Sequence, residues 1–163
     1  MTDLTILPGP PATRSTREPD EAAAIADLTF LLLADCHEKE RRLSEQLRIS
    51  VPEFRCLRWF RGARQLHVRE LVERMSASPS RISRILADLE KDGLVTRTID
   101  PDDRRGIVVV LTPKGVTFSE KLEERFTAIH REILAGIDPK IRGQIAESLS
   151  MLLASVTRWL RGS

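Results

Sequence analysis

The segment 78–115 constrains the fold more than any other part of the chain, because a helix, two strands and the start of another helix follow one another in it without a gap. Ser78 can cap the first helix, and Pro79 fits its first turn, where a missing N–H costs no hydrogen bond. Gly93 can end it in the left-handed conformation. Between them, four apolar residues recur at the spacing of one buried helical stripe: Ile82, Ile85, Leu86 and Leu89.

Two β-rich runs, 94–98 and 107–111, follow that helix and flank a turn-forming segment, 99–106. The two runs predict a β-hairpin. Thr112 and Pro113 then repeat the cap pattern and begin another helix. A helix that continues directly into such a hairpin predicts a wing beside the helix.

A shorter helix is predicted before this segment. Residues 67–75 carry apolar side chains at helical spacing, and residues 76–78 form a tight turn that leads into the capped helix. Helix, tight turn and helix are the arrangement of DNA-binding helix-turn-helix proteins. Residues 50–112 therefore predict a winged helix-turn-helix lobe.

The first helix of the lobe is predicted to run from Ser50 to about Arg61, because Ser50 and Glu53 form a capping box and Gly62 can end the helix. It opens a basic segment, residues 55–84. This segment contains eight arginines and two acids, hence a formal charge of 8 − 2 = +6, although the whole chain carries only +2. Such a local excess indicates an anionic partner.

Long apolar helices are predicted on both sides of the lobe, over 20–48 and 113–163. Their apolar stripes are too extensive for so small a lobe to cover, which predicts a dimerisation region that meets a second copy of the chain. The alternative is a three-helix bundle within one chain. Residues 1–19 hold four of the nine prolines and predict a flexible tail. The fold class is therefore mostly α with a small β-hairpin wing.

Composition argues against several other classes of protein. The 163 residues fit one domain, and 4% aromatic with 31% charged residues favours helices over an aromatic-rich β-sandwich. No apolar run approaches the ~18 residues of a membrane span, and no signal peptide is recognisable, so a cytoplasmic location is expected. No phosphate-binding glycine loop or hydrolase motif is present, so we expect neither an enzyme nor a cofactor.

The side of the capped helix opposite its apolar stripe carries Ser80, Arg81 and Arg84 near its start. The second helix of a helix-turn-helix is the recognition helix, or reading helix, and it enters the major groove with its N-terminal residues toward the bases. Arginine can donate two hydrogen bonds to guanine. We therefore assign Arg81 and Arg84 to bases or nearby phosphates. Ser78 and Ser80 are assigned to phosphate or short polar contacts. The alternative is a solvated helix face with an Arg84–Asp88 pair.

Arg104 and Arg105 lie at the tip of the predicted hairpin, behind Asp102 and Asp103. An arginine at such a tip can enter the minor groove, where the negative potential is strongest. Our hypothesis gives this insertion to Arg105 and gives Asp103 the role of orienting an arginine through a charge-assisted hydrogen bond. An ordinary polar turn is the alternative.

Several motifs occur in a fixed order along the chain: Pro52-Glu53-Phe54, the helix 67–75, Ser83-Arg84, Leu89-Glu90, Gly93-Leu94-Val95, Asp100-Pro101-Asp102-Asp103-Arg104-Arg105, Leu111-Thr112 and Gly115. Over about residues 20–160 this set resembles the MarR family of bacterial transcription regulators. The resemblance implies a dimeric winged helix-turn-helix regulator, more often a repressor than an activator, on a palindromic operator. It also implies release by a small molecule or an oxidant.

The resemblance further implies a place for an effector. Relatives bind small anionic effectors between helices, and Arg55, Arg58, Trp59 and His67 could line such a pocket or could equally be scaffold. The competing function is a winged-helix protein-interaction module without DNA binding. Arginines at both groove-reaching elements argue against that alternative.

Cys36 and Cys56 leave open a thiol-based, redox-responsive regulator. Peroxide-sensing relatives keep a reactive cysteine near the start of the first helix and back it with tyrosines, whereas this chain has no tyrosine. Reduced, buried thiols are the default expectation, since reactivity needs exposure and a depressed pKa. Asp35, Cys36, His37 and Glu38 are all metal-ligand types, but consecutive helical residues point in different directions, so no metal site is expected.

Overall fold

A computed structural model describes residues 20–101 and 106–162, and these contain six helices and three strands. The helices are α1 (Glu21–Leu47), α2 (Val51–Arg58), α3 (Val68–Met75), α4 (Pro79–Lys91), α5 (Pro113–Ala135) and α6 (Pro139–Gly162), and the strands are β1 (Gln65–His67), β2 (Val95–Ile99) and β3 (Ile107–Leu111). The mostly α class with a small hairpin is therefore confirmed. The tail predicted over 1–19 lies outside the described residues.

The three strands form one antiparallel sheet in the order β1-β3-β2. β2 and β3 are the predicted hairpin, paired from Val95 opposite Leu111 to Ile99 opposite Ile107. The prediction lacked β1, because three residues are too few to show a periodicity and only pairing with residues 108–110 makes them a strand. With β1 in place, α3 begins one residue later than predicted, after His67.

α2 ends at Arg58, three residues before its predicted end near Arg61. The predicted capping box is confirmed: the Glu53 N–H donates to Ser50 Oγ at 3.4 Å, and the Ser50 N–H donates to Glu53 Oε2 at 2.6 Å. Beyond Arg58, three successive N–H groups bond carbonyls three residues back, so the chain tightens out of α-helical geometry. Gly62 then takes φ +77°, which glycine tolerates.

α4 has the predicted features at both ends and along its length. The Arg81 N–H donates to Ser78 Oγ at 3.3 Å, and Gly93 follows the helix with φ +69°. All four residues of the predicted stripe are buried, and they join a core built from α2, α3, the sheet, the end of α1 and Leu122 of α5. Because each such side chain contributes about 1.5–3 kcal/mol when buried, the stripe determines which side of α4 faces outward.

The start of α5 packs tightly against residues 92–94, which directly follow α4. A Cβ added at Gly115 would stand 1.8 Å from the Leu94 carbonyl oxygen, so only glycine fits there without a backbone shift. The Lys114 ammonium donates to the Asp92 carbonyl at 2.6 Å, which satisfies an acceptor that the helix itself leaves without a partner. α5 therefore anchors the C-terminal end of α4.

Large apolar side chains are exposed on α6 and on the first part of α1. α6 contains no buried residue, and its exposed apolar residues are Ile141, Leu149, Met151, Leu153, Val156, Trp159 and Leu160. The chain divides after Lys39 into two compact units, and the first exposes Ile25, Leu28, Phe30, Leu31, Leu32 and Leu33. These side chains belong to the regions 20–48 and 113–163, whose role in dimerisation stays a prediction.

Candidate nucleic-acid interface

The outward side of α4 carries the residues that the sequence assigns to DNA. Ser80, Arg81 and Arg84 are exposed there, opposite the buried stripe. Within the described residues neither arginine side chain makes an ion pair or hydrogen bond, and the alternative Arg84–Asp88 pair does not form. Ser78 Oγ accepts the cap hydrogen bond and lies 3.1 Å from Ser80 Oγ. α4 thus presents two arginines whose charge no carboxylate of the described residues neutralises.

The eight arginines of the basic segment 55–84 fall into two groups. Four are paired with carboxylates: Arg55 with Glu40 at 2.7 Å, Arg58 with Glu123, Arg61 with Glu123 at 3.5 Å, and Arg74 with Glu70. Among the described residues the other four have no ion-pair partner: Arg64, Arg69, Arg81 and Arg84. Because Glu40 and Glu123 lie outside the segment, counting charges along the sequence overstates its available positive charge. Three of these four arginines lie on α3 and α4.

The hairpin follows α4 directly, but its tip lies outside the described residues. The tip contains Asp103, Arg104 and Arg105, so the roles assigned to these residues stay predictions. Its base is closed by the Asp100 N–H, which donates to the Gly106 carbonyl at 3.0 Å. The two strands therefore bring both ends of the tip together.

A cavity of about 670 Å³ opens beside the start of α4. Three of the four residues considered for an effector pocket line it, namely Arg55, Arg58 and Trp59. Other lining residues come from the helix-turn-helix and from α5, among them Arg74, Met75, Arg81, Ile85 and Phe126. No sequence pattern indicates this second group, because the cavity exists only where distant helices meet.

Guanidinium groups and aromatic rings form much of the cavity wall. Arg58 Cζ lies 3.8 Å from the centroid of the Phe126 ring, while the same guanidinium pairs with Glu123. Arg74 Cζ lies 5.3 Å from the centroid of the Trp59 ring. Such cation–π contacts hold both partners in place. The wall therefore combines flat aromatic surface with arginines, although Glu40 also lines it and pairs with Arg55.

His67 is not among the lining residues of this cavity. It ends β1, and its Nδ1 lies 3.4 Å from Oδ2 of the buried Asp100 at the base of the hairpin tip. The reason is the strand that the sequence did not predict: pairing with β3 carries His67 into the sheet. The structure thus brings together Arg55, Arg58 and Trp59 and leaves His67 apart.

The two thiols have different surroundings. Cys56 is buried, and burial together with the nearby Glu53 carboxylate raises the pKa of its thiol to about 12. A thiol with so high a pKa stays protonated at neutral pH and is a weak nucleophile. Cys36 is partly exposed on α1, with its Sγ 3.7 Å from Lys39 Nζ. Of the two, Cys36 is the better placed for oxidation.

Within residues 20–101 and 106–162, no three His, Cys, Asp or Glu side chains are grouped so that they could hold a metal ion. Over the same ranges, no helix has the length and apolarity to span a bilayer.

The sequence profile of the MarR family matches residues 49–107, which hold α2, β1, α3, α4 and β2. YfiV of Bacillus subtilis, named an uncharacterized HTH-type transcriptional regulator, is 31% identical over 107 residues, which are 66% of this chain and 67% of that protein. A riboflavin kinase of Pyrococcus furiosus is 44% identical over 69 residues, which are 42% of this chain and 31% of that enzyme. The chain thus spans about two thirds of one relative and under a third of the other.

Solved structures share the fold. A MarR family protein from Bacillus stearothermophilus has a TM-score of 0.75 at 22% identity, over 84% of this chain and 96% of that one. The S. aureus MepR–DNA complex has a TM-score of 0.68 at 19% identity, over 81% of this chain and 97% of that one. At these identities, the likeness establishes the fold alone.

Proposed function

The chain belongs to the MarR family, and we propose that it is a sequence-specific regulator of transcription that binds double-stranded DNA as a homodimer. The observation that carries the proposal is the outward side of α4, where exposed Arg81 and Arg84 have no carboxylate partner within the described chain. The relative named as an HTH-type transcriptional regulator and the DNA complex of S. aureus MepR support the same assignment.

The chemistry of the reading helix follows from its orientation. With its apolar stripe buried, α4 can enter the major groove with its first turns toward the base edges, while α3 crosses the phosphate backbone. Arg81 and Arg84 can then donate to guanine, and each bidentate contact discriminates against a wrong base by about 1–3 kcal/mol. Ser78 and Ser80 lie at the positive end of the helix dipole, where a phosphate is favoured. Arg104 and Arg105 are proposed to reach the minor groove.

The homodimer is supported by the exposed apolar side chains of α6, which include Leu153 and Trp159 at 67% and 69% exposure. Apolar surface of this extent is typical of an interface. A two-fold dimer would place its reading helices on half-sites about 34 Å apart, one turn of duplex DNA. The operator is therefore proposed to be palindromic.

Repression, with release by a small anionic molecule, is the regulatory part of the proposal. Repression rests on the family resemblance. Release is supported by the cavity beside α4, whose wall holds two aromatic rings and four arginines, of which Arg81 is the one without a carboxylate partner among the described residues. Since Arg81 lines the cavity and also belongs to the reading helix, an anion bound to Arg81 would compete with DNA for it. A response through oxidation of Cys36 is the alternative trigger.

The DNA-binding part can be tested by selection from a random pool of duplex DNA with the purified full chain. We expect the selected sequences to contain two inverted half-sites. Binding to them should weaken steeply with salt, with a slope of log K against log salt of about −0.9 per phosphate contacted. If nothing is enriched even at low salt, DNA binding is contradicted and a winged-helix protein-interaction module is favoured.

The effector part has its own test. Benzoate, as a small aromatic anion, should lower the affinity of the wild-type chain for the selected site. Chloride at the same ionic strength is the control for screening. If benzoate and chloride have equal effects, competition at Arg81 by a benzoate-like anion is contradicted, whereas DNA binding is not.

No catalytic activity is proposed. The match to riboflavin kinase covers under a third of that enzyme, and YfiV, which matches over most of its length, is named a regulator.

A further inference from the structure

An ion pair joins the reading helix α4 to the middle of the hairpin. Arg97 donates three hydrogen bonds to Glu90: its backbone N–H to Oε1 at 2.9 Å, its Nε to Oε2 at 2.9 Å and its Nη2 to Oε2 at 2.5 Å. The hydrogen bonds from Arg97 lower the pKa of Glu90, so this carboxylate is charged throughout the neutral range. The contact is therefore an ionic clamp that uses both carboxylate oxygens.

The clamp spans the corner between the helix and the hairpin. Glu90 lies in the last turn of α4, and Arg97 is the third residue of β2, opposite Val109 of β3. The chain between them turns at Gly93, which has φ +69° and open space where a Cβ would stand. Because glycine accepts a wide range of backbone angles, contacts around the corner determine its angle. Thr112 Oγ1 donates to the Gly93 carbonyl at 2.7 Å, and the clamp joins the helix to the strand farther out.

The clamp contributes little to the free energy of folding, but its hydrogen bonds have a defined geometry. The two side chains keep 29% and 34% of their surface exposed, and ion pairs in such surroundings add little to stability. However, two guanidinium nitrogens donate to Oε2 of Glu90 while the Arg97 backbone N–H donates to Oε1, and charge-assisted bonds to both oxygens fix the direction of the carboxylate. Rotation of Glu90 would break several of these bonds at once. The clamp therefore restrains the direction of the hairpin relative to α4 more than it stabilises the fold.

We propose that Glu90 and Arg97 are positioning residues that set the angle between α4 and the hairpin, so that both elements can reach the same stretch of DNA. The inference rests on the proposed DNA-binding function and goes beyond it. Arg97 acts through Glu90 and not as a phosphate ligand, because its guanidinium is committed to the carboxylate, unlike that of Arg81.

The test uses Glu90→Gln, Arg97→Gln and the double variant on a DNA site selected by the wild-type chain. Each single variant should weaken binding about tenfold, a typical coupling for residues in one ion-pair network. The double variant should be no weaker than the weaker single variant, because either substitution already removes the ion pair between the two side chains, and the Arg97 backbone N–H is present in all three variants. The salt slope of binding should stay at the wild-type value, since no phosphate contact is lost.

Lys114→Met is the matched control, because Lys114 holds the same end of α4 from α5 and does not join it to the hairpin. Its effect on DNA affinity should add to that of Glu90→Gln. The exchanged pair, Glu90→Arg with Arg97→Glu, should recover part of the affinity by restoring the ionic contact. Melting temperatures of all variants separate loss of folding from loss of positioning.

Three results would overturn the inference while the wild-type chain still binds DNA. A flatter salt slope in Arg97→Gln would make Arg97 a phosphate ligand. Tighter binding by Glu90→Gln would mean that the carboxylate only masks an arginine. Additive losses in the double variant would mean that the residues act separately. A wild-type chain that binds no DNA would contradict the proposed function itself.

Discussion

α4 and α6 are helices of one chain, yet they differ in what they expose. α4 has 13 residues and buries four apolar side chains, whereas α6 has 24 residues and buries none. The lobe itself covers the apolar side of α4, and arginines are left facing outward. α6, in contrast, exposes apolar side chains. The described residues of one chain are thus enough to orient the reading helix, but they leave the apolar side chains of α6 uncovered. We propose that a second copy of the chain covers them.

The largest expected effect comes from a buried leucine of α4, and an exposed leucine of α6 is the comparison. Leu86 is fully buried in α4, and Leu153 is 67% exposed on α6. Leu86→Ala should lower the free energy of unfolding by about 2–5 kcal/mol at every protein concentration, because it leaves a core cavity. Leu153→Ala should matter only in concentrated samples, where a dimer is stabilised by mass action. Denaturant unfolding at several concentrations measures both, and equal effects throughout would contradict the contrast.

The role of the outward side of α4 in DNA binding can be tested by comparison with an arginine outside the lobe. Arg84→Ala should cost about 1–3 kcal/mol of DNA affinity and relax one base preference in each half-site. Arg131→Ala on α5 removes the same charge from another exposed position that has no ion pair within the described chain, and should cost less. Binding to a set of single-base site variants is the measurement. Equal losses for both substitutions would reduce the role of Arg84 to net charge.

A smaller effect is expected at the start of α4. Ser78→Ala removes the side-chain oxygen that accepts the Arg81 N–H, and should lower the free energy of unfolding by about 1 kcal/mol. Ser148, an exposed serine within α6, has no cap role, so Ser148→Ala is the matched control. Urea unfolding at one low concentration compares them. If Ser148→Ala destabilises the protein as much, the cap is not the cause.

The two thiols extend the comparison between buried and exposed regions to chemical reactivity. This test measures rates of thiol modification and stability, not DNA affinity. At neutral pH iodoacetamide should modify Cys36 faster than Cys56, as measured by mass spectrometry of the peptides, because Cys56 is buried and protonated. The pKa of Cys56 is raised from 9.0 to about 12, so only the unfolded chain releases this proton in between. The contribution of Cys56 to stability should therefore be constant below about pH 9 and fall as pH rises toward 12. Faster modification of Cys56 would be the contrary result.

Much of the fold could be predicted because its signals are local. The Ser50–Glu53 capping box, the Ser78 cap and the buried stripe of α4 involve residues within a few positions of one another. β1 could not be predicted, since its three residues form a strand only by pairing with β3, more than 40 positions away. The position of His67 away from the cavity follows from the same strand.

The candidate site divides in the same way. Helical spacing alone places Arg81 and Arg84 on the outward side of α4, where the structure also has them. Arg74, Arg81 and Phe126 as cavity residues, and Glu90 with Arg97 as a clamp, have no signal in the sequence. Their roles depend on how helices, strands and turns meet, which single-element patterns do not encode.

The sequence by itself determined the order of the helices and of the hairpin, the apolar side of α4 and the excess of arginine over 55–84, because caps, periodicity and composition depend on neighbouring residues. Only the tertiary structure decided which of those arginines keep an uncompensated charge. Glu123 pairs with Arg58 across 65 positions of chain, and Arg84 meets no carboxylate in the described residues. Electrostatic attraction depends on distance in space, and folding sets that distance.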